Sequence, residues 1–269
     1  MDKLTIVKVG GAVVEDPQQL EKLLNNFSSI QGKKLLVHGG GRRATKVAGT
    51  LGIESKMVGG RRITDAAMLE VVTMVYGGLV NKSLVAQLQA KGVNALGVTG
   101  ADMDIIRSHK RPPVEVKDDE TGEKKIVDFG FVGDVDKADG ERLASLINSG
   151  ITPVVAPLTH DGMGNILNTN ADTMASTVAK ALADKFEVTL IFSFEKKGVL
   201  SNPDDDNSVI PLITREKFKM YEEKGIISGG MKPKVENALS AVEQGVSRVV
   251  ITLADNIGNA NEGTVIALG

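Results

Sequence analysis

The chain has 269 residues, of which 42% are hydrophobic and 25% charged, so its composition is that of an ordinary globular protein. Its formal net charge of −2 and its aromatic content of 3% provide neither the basic surface nor the stacking platforms that nucleic-acid binding requires. It contains no cysteine, which excludes disulfides, thiolate nucleophiles and cysteine-based zinc sites.

Along the chain, short β-branched apolar runs alternate with longer segments whose apolar residues recur at helical spacing. In chain order, the predicted strands are LTIVKVG, KLLVHGG, NALGVTG, ITPVVAP, EVTLIFSF and RVVITLA. The helical segments between them include PQQLEKLLNNFSSI, DAAMLEVVTMVYGGLV, ADTMASTVAKALAD and PKVENALSAVEQG. This alternation predicts an α/β fold with a mainly parallel open sheet covered by helices.

One segment, residues 107 to 135, departs from this alternation. PPVEV and KKIVDFGFV flank the charged, glycine-containing stretch KDDETGE, and this arrangement predicts a β-hairpin.

Features of a membrane or metal protein are missing from the sequence. No run of eighteen apolar residues occurs, and the chain opens with a strand-like run instead of a basic-then-apolar leader. We therefore expect a cytoplasmic protein with neither a membrane nor a nucleic acid as partner.

His38 lies in a predicted strand and is interpreted as structural. His109 and His160 have no neighbours at metal-ligand spacing, so no metal site is predicted.

Two glycine turns follow the first two predicted strands. KVGG contains Gly10 and Gly11, and VHGGG contains Gly40 and Gly41. Such turns expose backbone N–H groups where ligands bind in open α/β sheets, although a simple tight connection explains a single one equally well. The segment GGGRRA also fits a dinucleotide-binding template, but it lies in the second βα unit, and residues 59–62 read GGRR where that template expects an acidic residue.

Three further motifs place polar side chains at helix starts. NTNAD contains Asn168 and Asp172, and helix capping is the simplest interpretation of this motif. GGMKPK carries Lys234, a cation that opposes the helix dipole unless an anion lies nearby. GGRRIT places Arg62 just before a helix.

Taken in this order, KVGG, VHGGG, GGRRIT, NTNAD and GGMKPK resemble the motifs of the amino acid kinase family. The resemblance covers nearly the whole chain, because DFGFVGDV at 128–135 and EGTVI at 262–266 are also similar to segments of that family. It implies an αβα sandwich around a mainly parallel open sheet, with the hairpin of 107–135 as a lid over the substrate. It also implies two lobes, in which residues 1–180 bind the acylated amino acid and residues 181–269 bind ATP.

The resemblance implies phosphorylation of the side-chain carboxylate of an N-acyl-glutamate in arginine biosynthesis, with ATP as donor and Mg²⁺ carried by the ATP phosphates. A glutamate carboxyl with a pKa near ~4.3 is already ionised at neutral pH, so this reaction needs no general base. It needs positioning and neutralisation of phosphoryl charge instead. By resemblance, Lys8 and Lys234 reach the phosphoryl group from the acceptor and nucleotide sides, and Asp172 orients both lysines.

The remaining site residues are assigned by the same resemblance. Gly10 and Gly11 belong to the phosphate site, where Gly11, together with Gly41, offers an N–H group to the phosphoryl group. The substrate site comprises Gly40, Gly41, Arg62 and Asn168. In it, Arg62 pairs with the α-carboxylate and Asn168 binds the acylamino end.

One segment departs from the family pattern, and other members of the family remain as alternatives. SFEKKGVL at 193–200 replaces an expected D-x-x-G-V, so contacts to adenine and ribose cannot be carried over. A kinase for aspartate, glutamate, carbamate or UMP would keep the lysines and glycine turns, but the pair GGRRIT and NTNAD favours an acylated glutamate. A non-catalytic arginine sensor would not need working lysines.

The assembly and the acyl group are also predicted. Arginine-inhibited members of the family have an additional N-terminal helix that links dimers into hexamers, whereas the first strand here begins close to Met1. We therefore expect a homodimer insensitive to arginine, and the segment DAAMLEVVTMVYGG is either its interface or an ordinary buried helix. The cluster Arg107, His109, Lys110 and Arg111 is either a solvated surface or a site for the carboxylate of an N-succinyl group, in place of acetyl.

Overall fold

The structure is a computed structural model that describes residues 1–117, 124–229, 231–258 and 262–269. Most of the predicted charged hairpin turn, residues 118–123, lies outside the described residues, and so does Gly230 of the GGMKPK motif.

An eight-stranded sheet forms the centre of the fold. In spatial order its strands are β14 (Leu212–Ile213), β16 (Thr264–Ile266), β15 (Arg248–Leu253), β13 (Glu187–Phe194), β1 (Lys3–Val9), β2 (Lys33–His38), β10 (Thr152–Val155) and β5 (Ala95–Val98). All neighbouring strands run parallel except β15 and β16. The predicted mainly parallel open sheet is therefore confirmed.

Helices cover both faces of this sheet. They are α1 (Gly11–Glu15), α2 (Pro17–Ser29), α3 (Gly41–Thr50), α4 (Ala66–Val72), α5 (Asn81–Ala90), α6 (Gly140–Asn148), α7 (Ala171–Leu182), α8 (Arg215–Glu223) and α9 (Met231–Glu243). Alternate residues of β1 point to opposite faces, so that Leu4 and Ile6 pack with α6, α7 and α9, while Val7 and Val9 pack with α2 to α5. This arrangement confirms the αβα sandwich.

A smaller four-stranded sheet lies beside the main one, in the order β12 (Ile166–Asn168), β11 (Leu158–His160), β6 (Ile106–Lys110) and β9 (Gly133–Ala138). Two hairpins complete the described structure. One pairs β3 (Met57–Val58) with β4 (Arg61–Arg62), and the other pairs β7 (Val114–Lys117) with β8 (Lys124–Val127).

A continuous helix, Ala66–Ala90, joins α4 and α5 through a π-helical segment, Thr73–Val80. By length and composition alone, its 25 residues would suffice to cross a membrane. Its Met68, Val71 and Val75 are buried in the core beside the central sheet. Core packing therefore accounts for its apolar composition.

Gly130 fixes the connection between the second hairpin and the strands beside it. Its φ of 71° is in the left-handed region, and it lies against Thr64, which receives a hydrogen bond from Phe131 N at 2.7 Å and donates from its own N–H to Phe129 O at 2.9 Å. A β-carbon at residue 130 would lie 2.2 Å from the carbonyl oxygen of Thr64. Only glycine fits here without moving the backbone.

We predict that Gly130→Ala lowers the free energy of unfolding by roughly 2 kcal/mol or more, since it combines left-handed strain with a backbone clash. Urea unfolding of both proteins measures this difference. Gly49→Ala in α3 is the matched control, because a β-carbon there has no atom within 4 Å, and it should change stability by no more than about 1 kcal/mol, in the favourable direction. Equal stability of the two variants would contradict the prediction.

Candidate active site

The parallel strands β1, β2 and β13 end side by side at one edge of the sheet. Lys8 is paired in register with Val37 of β2 and with Phe192 of β13. The two glycine turns follow β1 and β2 directly, and Phe194 ends β13. The carboxyl ends of parallel strands are where open α/β sheets bind ligands.

Two lysines from distant parts of the sequence contact one carboxylate at this edge. Lys8 Nζ lies 2.7 Å from Asp172 Oδ1, and Lys234 Nζ lies 3.0 Å from Asp172 Oδ2. Asp172 is positioned by the start of α7, where the side chain of Asn170 accepts hydrogen bonds from the N–H groups of Asp172 and Thr173. The capping interpretation of Asn170 is thus correct, and the same cap places Asp172 between the lysines.

Burial shapes the charges of this lysine–aspartate–lysine group. Only 7% of Lys8 is exposed, and this burial lowers the pKa of its ammonium, while the Asp172 carboxylate opposes that effect and the nearby Lys234 charge adds to it. Burial also acts to raise the pKa of Asp172, but the charges of Lys8 and Lys234 outweigh it, and the net shift is downward. Asp172 is therefore an anion at neutral pH that faces two cations.

The two glycine turns pack against each other. A β-carbon at Gly11 would lie 3.5 Å from Gly41 N, and one at Gly39 would lie 3.2 Å from Gly11 N. A β-carbon at Gly40 would lie 2.8 Å from the ring of Tyr76. Since the first N–H groups of a helix have no intrahelical acceptor, the starts of α1 and α3 present backbone donors in one place.

His38 supports the second glycine turn. It is fully buried, its Nδ1 lies 2.8 Å from Gly39 O, and Asn81 Nδ2 lies 3.1 Å from its Nε2. Burial lowers the pKa of His38 to about 4, so the ring is neutral at pH 7. The amide of Asn81 then donates to Nε2, and Nδ1–H donates to Gly39 O. This environment agrees with a structural role.

Two cavities meet at the glycine turns. The first is open to solvent, with a volume of about 670 Å³ that includes solvent space, and its lining includes Arg61, Arg62, Tyr76, Val132 and Asn168. The second is also open, with about 690 Å³ measured in the same way, and its lining includes Lys8, Gly10, Phe194, Glu195 and Lys234. Gly11 and Gly41 line both cavities, so a wall made of main chain separates them.

Arg62 and Asn168, both predicted substrate-site residues, lie in the first cavity. Arg62 Nη2 donates to Gly41 O at 2.9 Å and to Thr45 Oγ1 at 3.0 Å, and its Nη1 donates to Ser55 Oγ. Asn168 Nδ2 donates to Thr64 Oγ1 at 2.9 Å. Both side chains are therefore held in position by the protein itself.

Val132 of the predicted hairpin segment, residues 107–135, lines the first cavity, and the structure favours the surface interpretation of the basic cluster over a site for an N-succinyl carboxylate. The hairpin that lines the first cavity is the short one at 57–62, and the β7–β8 hairpin packs behind it through Val114, Val116 and Val58. In the described chain, no residue of the basic cluster lines either cavity. Instead, Arg107 pairs with Asp104, His109 with Asp136 and Arg111 with Asp134, while Lys110 lies over the Phe131 ring.

The segment that departs from the family pattern borders the second cavity. Lys234 Nζ lies 5.7 Å from the centre of the Phe194 ring, a cation–π contact. Glu195 Oε1 lies 3.1 Å from Arg42 Nη2, which links the end of β13 to α3 across the cavity mouth. Among the described residues, no group of three acidic or histidine side chains is arranged to hold a metal ion.

Sequence reasoning missed Arg61, Tyr76 and Glu195 as lining residues. Arg61 could have been identified from the sequence, since the Gly-Gly pair before it predicts a tight hairpin turn that brings residues 57–62 together. Tyr76 and Glu195 have no local signal, because only the tertiary fold brings them to the cavities.

Comparison with known proteins gives consistent results. The model of the amino acid kinase family matches residues 3–253. Acetylglutamate kinase from Phocaeicola vulgatus is 64% identical over 265 residues, and the match covers 98% of each chain. Acetylglutamate kinase from Bacteroides thetaiotaomicron is 62% identical over 265 residues, again with 98% of each chain covered.

Solved structures share the fold at lower identity. N-acetylglutamate synthase from Neisseria gonorrhoeae, complexed with coenzyme A and N-acetyl-glutamate, superposes with a TM-score of 0.78 at 21% identity, over 99% of this chain and 59% of that one. Carbamate kinase from Giardia lamblia, bound to AMP-PNP, superposes with a TM-score of 0.69 at 14% identity, over 100% of this chain and 99% of the other. At these identities the likeness shows the fold alone.

We predict that Asp172→Asn lowers the free energy of unfolding at pH 7 by about 2–4 kcal/mol, because it leaves two ammonium groups without their shared anion. The pKa of Asp172 in the folded protein lies below its ordinary value of 3.8, so its contribution is present above that pH and is lost as the pH falls through the folded-state pKa. Urea unfolding of the parent and of Asp172→Asn from pH 7 to pH 3 should show that the difference between their free energies of unfolding decreases toward pH 3.

Asp204→Asn, in an exposed loop, is the control and should stay within about 0.5 kcal/mol of the parent at every pH. The prediction would be refuted if Asp172→Asn and the parent had the same free energy of unfolding at pH 7, or if their difference were the same at pH 3 as at pH 7.

Proposed function

The chain belongs to the amino acid kinase family, and on that basis we propose that it transfers the γ-phosphoryl group of ATP to the side-chain carboxylate of N-acetyl-L-glutamate or a close N-acyl relative, as a step of arginine biosynthesis. The observation that carries this proposal is the buried Lys8–Asp172–Lys234 group beside a backbone wall shared by two cavities. The acetylglutamate kinases at 64% and 62% identity support the choice of acceptor.

The chemistry requires little from the protein apart from charge and position. A carboxylate oxygen of the acceptor attacks the γ-phosphorus, a new P–O bond forms, and the bond to the β–γ bridging oxygen breaks with its electron pair leaving on ADP. The acceptor is already ionised, so no proton has to be removed. This matches a site that contains lysines and glycine N–H groups.

In this proposal the lysines neutralise phosphoryl charge from opposite sides. The family resemblance assigns Lys8 to the acceptor side and Lys234 to the nucleotide side. Both lysines line the second cavity, Lys8 from β1 and Lys234 from the start of α9. Asp172 keeps the two ammonium groups close together despite their repulsion. Gly11 and Gly41 provide N–H groups where the cavities meet, and Gly10 and Gly40 shape the turns.

The first cavity is the proposed acceptor site. Arg62 is placed to pair with the α-carboxylate of the substrate, and Asn168 to bind the acylamino end. The second cavity is the proposed site of the ATP phosphates and the Mg²⁺ that they carry. By the family resemblance we divide the chain near residue 180, with the acceptor lobe in 1–180 and the nucleotide lobe in 181–269. The second cavity has lining residues from both parts, among them Lys8 and Lys234.

Other members of the family are the competing candidates. Kinases of aspartate, glutamate, carbamate or UMP would use the same lysines, so the acceptor has to be identified by assay. A non-catalytic arginine sensor is disfavoured because both lysines and their shared carboxylate are in contact.

We also propose a homodimer that uses the outer side of the Ala66–Ala90 helix. Met74 is 53% exposed and Leu79 is 48% exposed on this helix. A shallow depression beside it is lined by Leu69, Met74, Phe131 and Ile166 together with polar neighbours. Exposed apolar side chains around a concave surface favour a protein contact there.

We predict that Lys8→Ala and Lys234→Ala each lower kcat by about 10² or more in a coupled assay of ADP release with N-acetylglutamate and ATP, since each removes a charge that stabilises the transition state. Lys232→Ala is the control, because Lys232 lies two residues from Lys234 but pairs with Glu222 outside both cavities. It should keep kcat within a few-fold.

Near-parental kcat in both lysine variants would refute the proposed roles. A parent protein that releases ADP only with aspartate, glutamate, carbamate or UMP would reassign the acceptor and leave the family intact.

For the assembly, we predict a dimeric mass by light scattering for the parent and a monomeric mass for Met74→Glu, because a carboxylate buried in an apolar contact lacks a partner. Met220→Glu is the control, since Met220 is 37% exposed on α8 and does not line this depression, and it should stay dimeric. A monomeric parent, or a dimer that is unchanged by Met74→Glu, would contradict this interface.

A further inference from the structure

The short hairpin at 57–62 directs its two arginines to different neighbours. Arg62 donates to Gly41 and Thr45 of α3. Arg61 lies instead beside the charges of Arg111 and Asp134, which belong to the smaller sheet and the segment that enters it. Successive residues of a strand point to opposite sides, which accounts for this division. Arg61 and Arg62 are nevertheless both lining residues of the first cavity.

Arg61 has a charge that the described part of the protein does not pair. It is half-buried, its backbone pairs with Val58 in the hairpin, and no hydrogen bond or ion pair joins its guanidinium to any described residue. Asp134, whose charge acts on Arg61, already accepts from Arg111 Nε at 3.1 Å and forms a salt bridge with it. Two cations and one anion therefore meet here, which leaves a surplus of one positive charge.

The surroundings make this surplus costly in the absence of a ligand. Burial lowers the pKa of Arg61, the Arg111 charge lowers it further, and Asp134 opposes both effects. A guanidinium remains charged at neutral pH even so, because its ordinary pKa lies far above neutrality. A half-buried cation without a counterion at a cavity wall favours an anion bound inside that cavity.

Arg61 lies on the side of the cavity that the proposed function assigns to the acyl group. Arg111 N donates to Val132 O at 2.8 Å, and Val132 forms a β-bridge with Asn168. Val132 and Asn168 both line the cavity, and Asn168 is the proposed partner of the acylamino end. The Arg62 side, held against Gly41, is the proposed α-carboxylate side. Arg62 is thus available to the α-carboxylate of the substrate, and Arg61 is available to a second carboxylate on the acyl side.

We propose that Arg61 binds a carboxylate at the far end of the acyl group, so that the preferred acceptor is an N-acyl-glutamate whose acyl group derives from a dicarboxylic acid, with N-succinyl-glutamate as the representative. This inference rests on the proposed kinase function. An acetyl group ends in a methyl, which would leave the guanidinium without a partner. A succinyl group ends in a carboxylate, which the planar guanidinium can bind through two parallel hydrogen bonds.

The test compares three acceptors in the coupled assay: N-acetyl-glutamate, N-succinyl-glutamate and N-succinamoyl-glutamate. The last has a terminal amide of the same shape as the carboxylate but without its charge. The parent should use the succinyl acceptor with a kcat/KM at least about tenfold above that of either neutral acceptor. Arg61→Leu should lose about tenfold to a hundredfold for the succinyl acceptor only.

Arg107→Leu is the matched control, because Arg107 belongs to the same basic region but pairs with Asp104 and lies outside the cavity. It should leave the ratio of succinyl to acetyl kcat/KM unchanged. Arg61→Lys should recover part of the preference, because a lysine keeps the charge but not the planar fork.

Two outcomes would overturn the inference. One is a parent that prefers the acetyl acceptor, with a ratio that Arg61→Leu does not alter. The other is an equal loss for all three acceptors in Arg61→Leu, which would assign Arg61 to the α-carboxylate that they share.

Binding by calorimetry separates this inference from the proposed function. A parent that phosphorylates none of the three acceptors would refute the proposed N-acyl-glutamate acceptor. The affinity for N-succinyl-glutamate relative to N-acetyl-glutamate, with its dependence on Arg61, would still decide the role of this arginine. Equal affinities in the parent and in Arg61→Leu would then reject it.

Discussion

The carboxylate of Asp172 is the interaction on which the arrangement of the site depends. Two ammonium groups brought close together in a buried place repel each other, and a single aspartate between them makes their proximity stable. The three residues come from β1, α7 and α9, so this contact also joins elements from the two ends of the chain. The sheet achieves the approach because β1 is its central strand, with β13 on one side and β2 on the other.

Much of the fold could be predicted because the local signals agree with the tertiary structure. The six apolar runs correspond to β1, β2, β5, β10, β13 and β15, each bounded by glycine or proline or by charged residues. β14, with two residues, and the short hairpin strands were missed because pairing with neighbours creates them and their own propensity does not. The family resemblance singled out residues 262–266, which contain β16, whereas no pattern in the three residues of that strand would have indicated it.

The candidate site could be predicted only in part. Lys8, Asp172 and Lys234 lie in glycine-rich or capping motifs whose residue types suggest charge and phosphate, so a sequence pattern could indicate them. Arg107 and Arg111 have the same charge and an equally prominent cluster, yet each is paired with an aspartate nearby in space. Whether a cation is already neutralised depends on the three-dimensional neighbours of its side chain, and sequence alone does not specify them.

The wall between the two cavities has a consequence for how such a protein can diversify. Gly11 and Gly41 contribute only main chain to it, so the surface at which the two ligands would meet is independent of side-chain identity. The hairpin at 57–62, by contrast, lines the first cavity and not the second, and its own turn is Gly59–Gly60. Mutations in that hairpin can change which small molecule is accepted and leave the reacting centre unchanged. Selection on acceptor and selection on chemistry therefore act on separate parts of this chain.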